Sequence, residues 1–195
     1  MEAVCDQESL ESSVGGSSPS KSGRRSILAI TSQIPWPLNC GGHLRSFHLL
    51  RALAARFDVR LATTVTATQA EGVAALEQQG IRVCPAWVGS RSRWREALRA
   101  ASAMVIGEPY VLYRRHNRSE MRAVIRRELQ TQAPDLIYLD HLDSALFCNE
   151  RLQAPAVIDL HNIYSLLVQR TAEERRGPSR YYLRREARLL KHRET

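Results

Sequence analysis

The sequence predicts an α/β fold, a parallel sheet flanked by helices. Three observations carry this reading. Short apolar runs alternate along the chain with segments whose apolar residues recur at helical spacing, the pattern of βαβ units and parallel pairing. Polar residues gather just after the first, fourth and fifth apolar runs, where an open α/β sheet binds ligands. The chain has 195 residues, enough for one domain with a core.

The elements follow in order. Residues 1–24 are rich in Ser, Gly and acid and poor in large apolar side chains, so they read as a disordered tail ahead of one domain over 25–195. A buried strand is expected at 26–31 and a helix at 42–56, with Leu44, Phe47, Leu50, Leu53 and Ala54 at helical spacing. A second strand (58–65), a short helix (69–79) ended by Gly80 and a third strand (81–84) come next. Trp94, Ala97, Leu98, Ala101, Met104 and Val105 share one face of the following helix. A further helix over 118–132 stops before Pro134, and Asp-Leu-Ile-Tyr-Leu-Asp at 135–140 is a strong buried strand. A helix over 142–151 and a strand over 156–160 follow, then two helices, 163–176 and 178–193, broken at Gly177-Pro178. No internal repeat is present.

A hydrophobic fraction of 44% and a charged fraction of 25% are ordinary for a globular protein. The net charge of +8 is uneven. Residues 1–23 hold one Lys against Glu2, Asp6, Glu8 and Glu11, which leaves 27 basic against 16 acidic side chains, or +11, on the remainder. A basic body attracts anions: nucleic acid, acidic lipid headgroups or phosphorylated small molecules. Cys5, Cys40, Cys84 and Cys148 lie far apart with no C-x-x-C pair, so they read as reduced thiols of a cytosolic protein. No run of about 18 apolar residues marks a transmembrane helix, and the N-terminus lacks a signal-peptide pattern.

The chemistry-bearing residues sit at the strand ends. Gly41-Gly42 opens the first helix after Pro35-Trp36-Pro37-Leu38-Asn39-Cys40. Glycines there permit a sharp turn and close backbone approach, and a helix start presents free N–H groups to an anion. Arg45, one turn on, offers a guanidinium fork to a phosphate or carboxylate; the competing reading is a plain strand-to-helix turn. The pattern is neither G-x-G-x-x-G nor a phosphate loop, which disfavours dinucleotide and nucleoside-triphosphate sites of those types. Asp140 and His141 end the fourth strand, and His161 and Asn162 end the fifth. Parallel strands bring them to the rim that holds Gly41, where His can move a proton and Asp can accept from sugar hydroxyls. No nucleophile signature and no metal-ligand spacing is present, and no cofactor is called for.

Basic residues also fall in stripes: Arg115, Arg118, Arg122 and Arg126; Arg180, Arg184, Arg188 and Lys191; and Arg91, Arg93, Arg95 and Arg99 around Trp94. They are either solvated faces partnered by Glu120, Glu128 and Glu186, or contacts to anionic lipid with Trp87 and Trp94 as interfacial side chains. Nucleic acid is disfavoured as a partner, since no helix-turn-helix, RRM, KH or zinc pattern appears.

In combination these motifs resemble the N-terminal domain of family 4 glycosyltransferases: an apolar strand, Pro-x-Pro, Gly-Gly-x-x-Arg, a helix, Asp-Leu-Ile-Tyr-Leu-Asp, Asp-Leu-His-Asn and an Arg/Glu-rich tail, over residues 25–195. The resemblance implies the N-terminal half of a GT-B fold, two Rossmann-like domains facing across a cleft. It implies transfer of a sugar from a nucleotide-sugar donor, as co-substrate, with retention at the anomeric carbon. This half mainly holds the acceptor, a glycan or lipid-linked intermediate. Gly41 and Gly42 then approach the donor diphosphate and the transferred sugar, while Asp140 or His141, together with His161, line the cleft. Several members sit on membranes through basic and aromatic surfaces of this domain, which matches Trp94, Arg93 and Arg95 and gives a cytoplasmic protein, peripheral on the inner face of the membrane. The donor-binding C-terminal half of the family has no counterpart in this sequence, so the chain reads as truncated, inactive alone, and in need of a C-terminal partner half. The rival expectation is a non-catalytic remnant or interaction module with a basic surface.

Overall fold

A computed structural model describes residues 23–89, 92–147, 154–160 and 162–194. Most of the expected tail, Arg91, Cys148 and His161 lie outside the described residues. Five strands, β1 (Ser26–Thr31), β2 (Asp58–Val65), β3 (Arg82–Trp87), β4 (Leu136–Asp140) and β5 (Ala156–Asp159), form one sheet in the order β3-β2-β1-β4-β5. Every neighbouring pair is parallel. The helices among the described residues are α1 (Gly41–Ala54), α2 (Ala70–Glu77), α3 (Arg93–Ile106), α4 (Ser119–Thr131), α5 (Tyr164–Glu174) and α6 (Pro178–Glu194). The α/β class with a parallel, helix-flanked sheet is therefore as the sequence predicts.

β1 is buried along its whole length, as a central strand covered on both faces must be. Its alternate side chains serve two cores. Ile27 and Ala29 pack with Phe47 and Leu50 of α1 and Leu76 of α2. Leu28 and Ile30 pack with Met121 and Ile125 of α4, Val168 of α5 and Leu190 of α6. The sheet is thus wound on both faces.

Two buried ionic groups tie helices to this frame. Arg60 of β2 is fully buried and donates to Glu128 O at 3.0 Å, Glu128 Oε2 at 3.2 Å and Gln132 O at 2.7 Å. A cation thereby meets the carbonyl end of α4, where the helix dipole favours it. Burial, reinforced by Glu128, pushes the neighbouring Cys84 thiol up to about 11. Glu186 of α6 is also fully buried, and its Oε2 accepts from the backbone N–H of Tyr110 at 2.7 Å and of Val111 at 3.1 Å.

Two sequence expectations change. The helix expected over 142–151 is a 3-10 segment, Leu142–Phe147, as far as the described residues extend. The Ser144 hydroxyl donates to Asp140 O at 2.6 Å, a side-chain bond that favours a tight turn over a regular helix start. β3 runs past residue 84 to Trp87 and contains Pro85, which is tolerated because β3 is an edge strand.

A close approach fixes α2. A Cβ on Gly72 would lie 2.7 Å from Trp36 Cβ and 3.1 Å from Ile34 Cδ1, whereas one on Gly42 would meet nothing within 4 Å. Gly72→Ala is expected to lower stability by about 1–3 kcal/mol through overpacking, and Gly42→Ala to leave it unchanged or slightly raised. Urea unfolding of both variants checks this; equal losses would contradict it.

Candidate functional site

The register of the sheet builds the site. Thr31, the last residue of β1, pairs with Thr63 of β2 on one side and Asp140 of β4 on the other, and Asp140 pairs in turn with Asp159 of β5. A row of polar side chains therefore crosses the carboxyl end of the sheet. The strand order reverses direction between β1 and β4, and open α/β sheets bind ligands at such a switch point.

A cavity of about 180 Å³ lies there. It is lined from β1 and its loop by Thr31, Ser32, Gln33 and Pro35, and from α1 by Gly42, His43 and Ser46. Asp140, His141 and Asp143 come from the end of β4, with Leu112, His116 and Tyr164 closing it. The N-terminus of α1 has no side-chain cap and no acid in its first turn, so its N–H groups are not competed for by a carboxylate of its own helix.

Asp140 is buried and accepts from the Ser46 hydroxyl at 2.6 Å, which couples β4 to the second turn of α1. His141 adopts φ 74°, a left-handed conformation that side chains rarely take. Its N–H donates to Asp159 O at 3.2 Å, and its ring stacks on Tyr164 with centroids 5.8 Å apart and planes 15° apart. Strained backbone at a ligand-facing residue is a mark of functional sites. His43 Nδ1–H donates to Pro37 O at 2.8 Å, and because a carbonyl only accepts, the proton is on Nδ1.

Asp143 was not foreseen. It is buried, and its carboxyl is pushed up to about 6, chiefly by burial, with Ser32 and His141 pulling it back and Asp140 adding to the rise. Its Oδ2 lies 3.7 Å from His116 Nδ1. An Asp-His pair with the carboxyl near neutrality can hold or pass a proton. Burial, and then the carboxylates of Asp143 and Asp140, raise the Tyr164 hydroxyl.

The predicted residues divide. Gly42, Asp140 and His141 meet in the cavity. Gly41 is exposed and outside its lining. Neither glycine has positive φ, so the competing reading, a plain strand-to-helix turn that needs φ > 0, finds no support in the backbone, and a Cβ on either would meet nothing within 4 Å. Arg45 does not point to an anion site. Its Nη2 donates to both oxygens of Asp159, at 3.1 and 3.0 Å, and Asp159 also accepts from Tyr138 at 3.1 Å. Asn162 is exposed and outside the lining, and Trp94, Arg93 and Arg95 are exposed on α3, away from it. Arg122 of the expected stripe serves the fold, donating to Asn117 Oδ1 and Leu146 O and lying over Phe147. Among the described residues no cluster of three His, Cys, Asp or Glu side chains has metal-binding geometry.

Comparison with known proteins adds little to this geometry. No protein-family model matches the chain, and no curated protein matches it. Among solved structures, the crystal structure of the glycotransferase of kitacinnamycin is similar at 16% identity and a TM-score of 0.38, over 82% of this chain and 38% of that one. A likeness that slight assigns neither fold nor activity, and the chain spans well under two thirds of that protein.

Between about pH 4 and 6, folded Asp143 keeps a proton that the unfolded chain has released, so stability falls as pH rises through that window. Asp143→Asn is expected to remove this fall, at most about 3 kcal/mol. Thermal unfolding of both proteins from pH 4 to 7 checks it, and an identical pH profile would show that Asp143 does not carry the shift.

Proposed function

We propose that this chain is the acceptor-binding, Rossmann-like N-terminal domain of a retaining, family 4-type glycosyltransferase with the GT-B fold. It works in the cytoplasm on a nucleotide-sugar donor held by a C-terminal half. The observation that carries this reading is the polar cavity at the β1–β4 switch point, reached by Gly42, Asp140 and His141. At about 180 Å³ it is smaller than the roughly 300–1,000 Å³ pockets of drug-sized ligands, and its hydroxyls, carboxylates and imidazoles suit the alternating donors and acceptors of one sugar ring. A second hollow of about 520 Å³ shares Ser32, Gln33, Leu112 and His116 with it and continues past Thr64, Thr66, Gln69, Arg115 and Arg118. That continuation suits the remainder of a glycan or lipid-linked acceptor.

The residues would work mainly by position. Asp140, fixed by Ser46, accepts from a sugar hydroxyl and orients the ring. His141 presents its imidazole from a strained backbone, and Asp143 with His116 exchanges a proton near neutral pH. The uncapped start of α1 favours the negative charge that develops on a departing diphosphate.

Saturation-transfer NMR with a panel of mono- and oligosaccharides tests the reading. Wild-type protein should transfer saturation to at least one of them, and Gly42→Trp should abolish the signal by filling the cavity mouth, with unchanged circular dichroism as the check on folding, since a Cβ at 42 meets nothing within 4 Å. Absence of transfer in wild type, or equal transfer in the variant, would contradict the assignment.

A further inference from the structure

Asp143 has one oxygen that the proton exchange with His116 leaves idle. The residue is only 3% exposed, and it enters the cavity from the 3-10 turn that follows β4. Its Oδ2 faces His116 Nδ1 at 3.7 Å. Its Oδ1 is closed off from solvent. Ser32 stands close enough to steady the carboxylate's charge, but no protein donor reaches Oδ1 with hydrogen-bond geometry. A buried carboxylate oxygen without a donor is costly. In the wall of a cavity, that cost is removed when a ligand supplies the donor.

The surrounding charge selects the donor. The chain carries 28 Lys and Arg residues, yet none is among the described residues that line this cavity. Two carboxylates are, those of Asp140 and Asp143, and the charge on Asp140 raises the Asp143 carboxyl. A ligand hydroxyl donates one hydrogen bond and brings no charge. A primary ammonium donates three and offsets the repulsion between the two carboxylates. A metal ion is a poorer fit, since among the described residues no three His, Cys, Asp or Glu side chains have metal-binding geometry. The net charge of +8 opposes a cation at long range. That repulsion is screened beyond about 10 Å in salt, whereas a buried pair is screened much less. The volume of about 180 Å³ suits one ring, and Ser32 and Gln33 on the β1 side offer partners to hydroxyls beside the amine.

We propose that the cavity at the β1–β4 switch point takes an amine-bearing polyhydroxyl ring, an amino sugar or aminocyclitol, whose ammonium donates to Asp143 Oδ1 and is shared with the Asp140 carboxylate. This rests on the acceptor reading above and names the chemical class of the acceptor ring. The titratable groups that share the cavity with Asp143 are Asp140 and His141 at the end of β4, His116, His43 of α1 and Tyr164 of α5. Acid removes negative charge from carboxylates and adds positive charge to imidazoles, so both changes weaken a bound ammonium.

The test is NMR titration at pH 7 with glucosamine, galactosamine, kanosamine and deoxystreptamine, against glucose, galactose, inositol and N-acetylglucosamine. At least one amine should bind wild-type protein roughly tenfold or more tightly than its neutral counterpart. That ratio should fall roughly tenfold between pH 7 and pH 5, as Asp143 gains its proton. Asp143→Asn should lower the ratio at pH 7 by a similar factor, with unchanged circular dichroism. Should that variant not fold, the pH series on wild type decides. Equal binding of amines and neutral rings, a preference that persists at pH 5, or one that survives in Asp143→Asn would overturn the proposal and leave the sugar site standing. Binding of none of these rings would overturn the acceptor reading with it.

Discussion

The structure depends on β1 having β2 on one side and β4 on the other. Parallel strands connect through right-handed crossovers. A chain that leaves β1 toward β2 and later returns to the far side of β1 as β4 therefore lays its connections on opposite faces. The split core records this: α1 and α2 cover the Ile27–Ala29 side, and α4, α5 and α6 cover the Leu28–Ile30 side. Where the two connections part, the carboxyl ends of β1 and β4 are left uncovered. The register then puts Thr31 beside Asp140, so a polar crevice results from topology before any ligand is considered.

Buried polar bonds outside the crevice hold its walls. Arg60 fastens the end of α4 to the sheet, and removing one partner of such a buried set leaves an uncompensated charge. Glu186 pins the backbone at Tyr110 and Val111, the stretch that leads to Leu112 and His116 on the cavity wall. α6 thereby helps to set the position of that wall. The Arg45–Asp159 link is exposed, but it likewise ties α1 to β5.

Much of this was legible in the sequence because apolar runs and helical periods report burial directly. β1, β2 and β4 and the positions of Asp140 and His141 follow from such runs. The residues that were missed depend on contacts between distant segments. His116 enters from a 3-10 turn whose sequence, Arg114–His116, carries no periodic signal. Asp143 reaches the cavity because residues 142–147 form a 3-10 turn, in which side chains three apart lie on one line, whereas the apolar pattern there resembles an ordinary helix. The partner of Arg45 is 114 residues away in the chain. The apolar face of α3 illustrates a different limit. Periodicity identifies such a face but not its direction: Trp94, Leu98 and Val105 are exposed, while Glu96 and Arg99 make contacts to the body.

A rigid crevice of hydroxyls, carboxylates and imidazoles, beside an uncapped helix start, is a preorganised surface for a polyhydroxyl ligand next to a developing anion. The central claim is its location, the β1–β4 switch point. Two-dimensional NMR of the isotopically labelled protein, titrated with soluble oligosaccharides, tests that location most directly. The account predicts shifts confined to Thr31, Ser32, Gln33, Gly42, Ser46, Asp140, His141 and Asp143. Saturable shifts centred instead on the hollow between α5 and α6, at Gln169, Arg184 and Arg188, would contradict it.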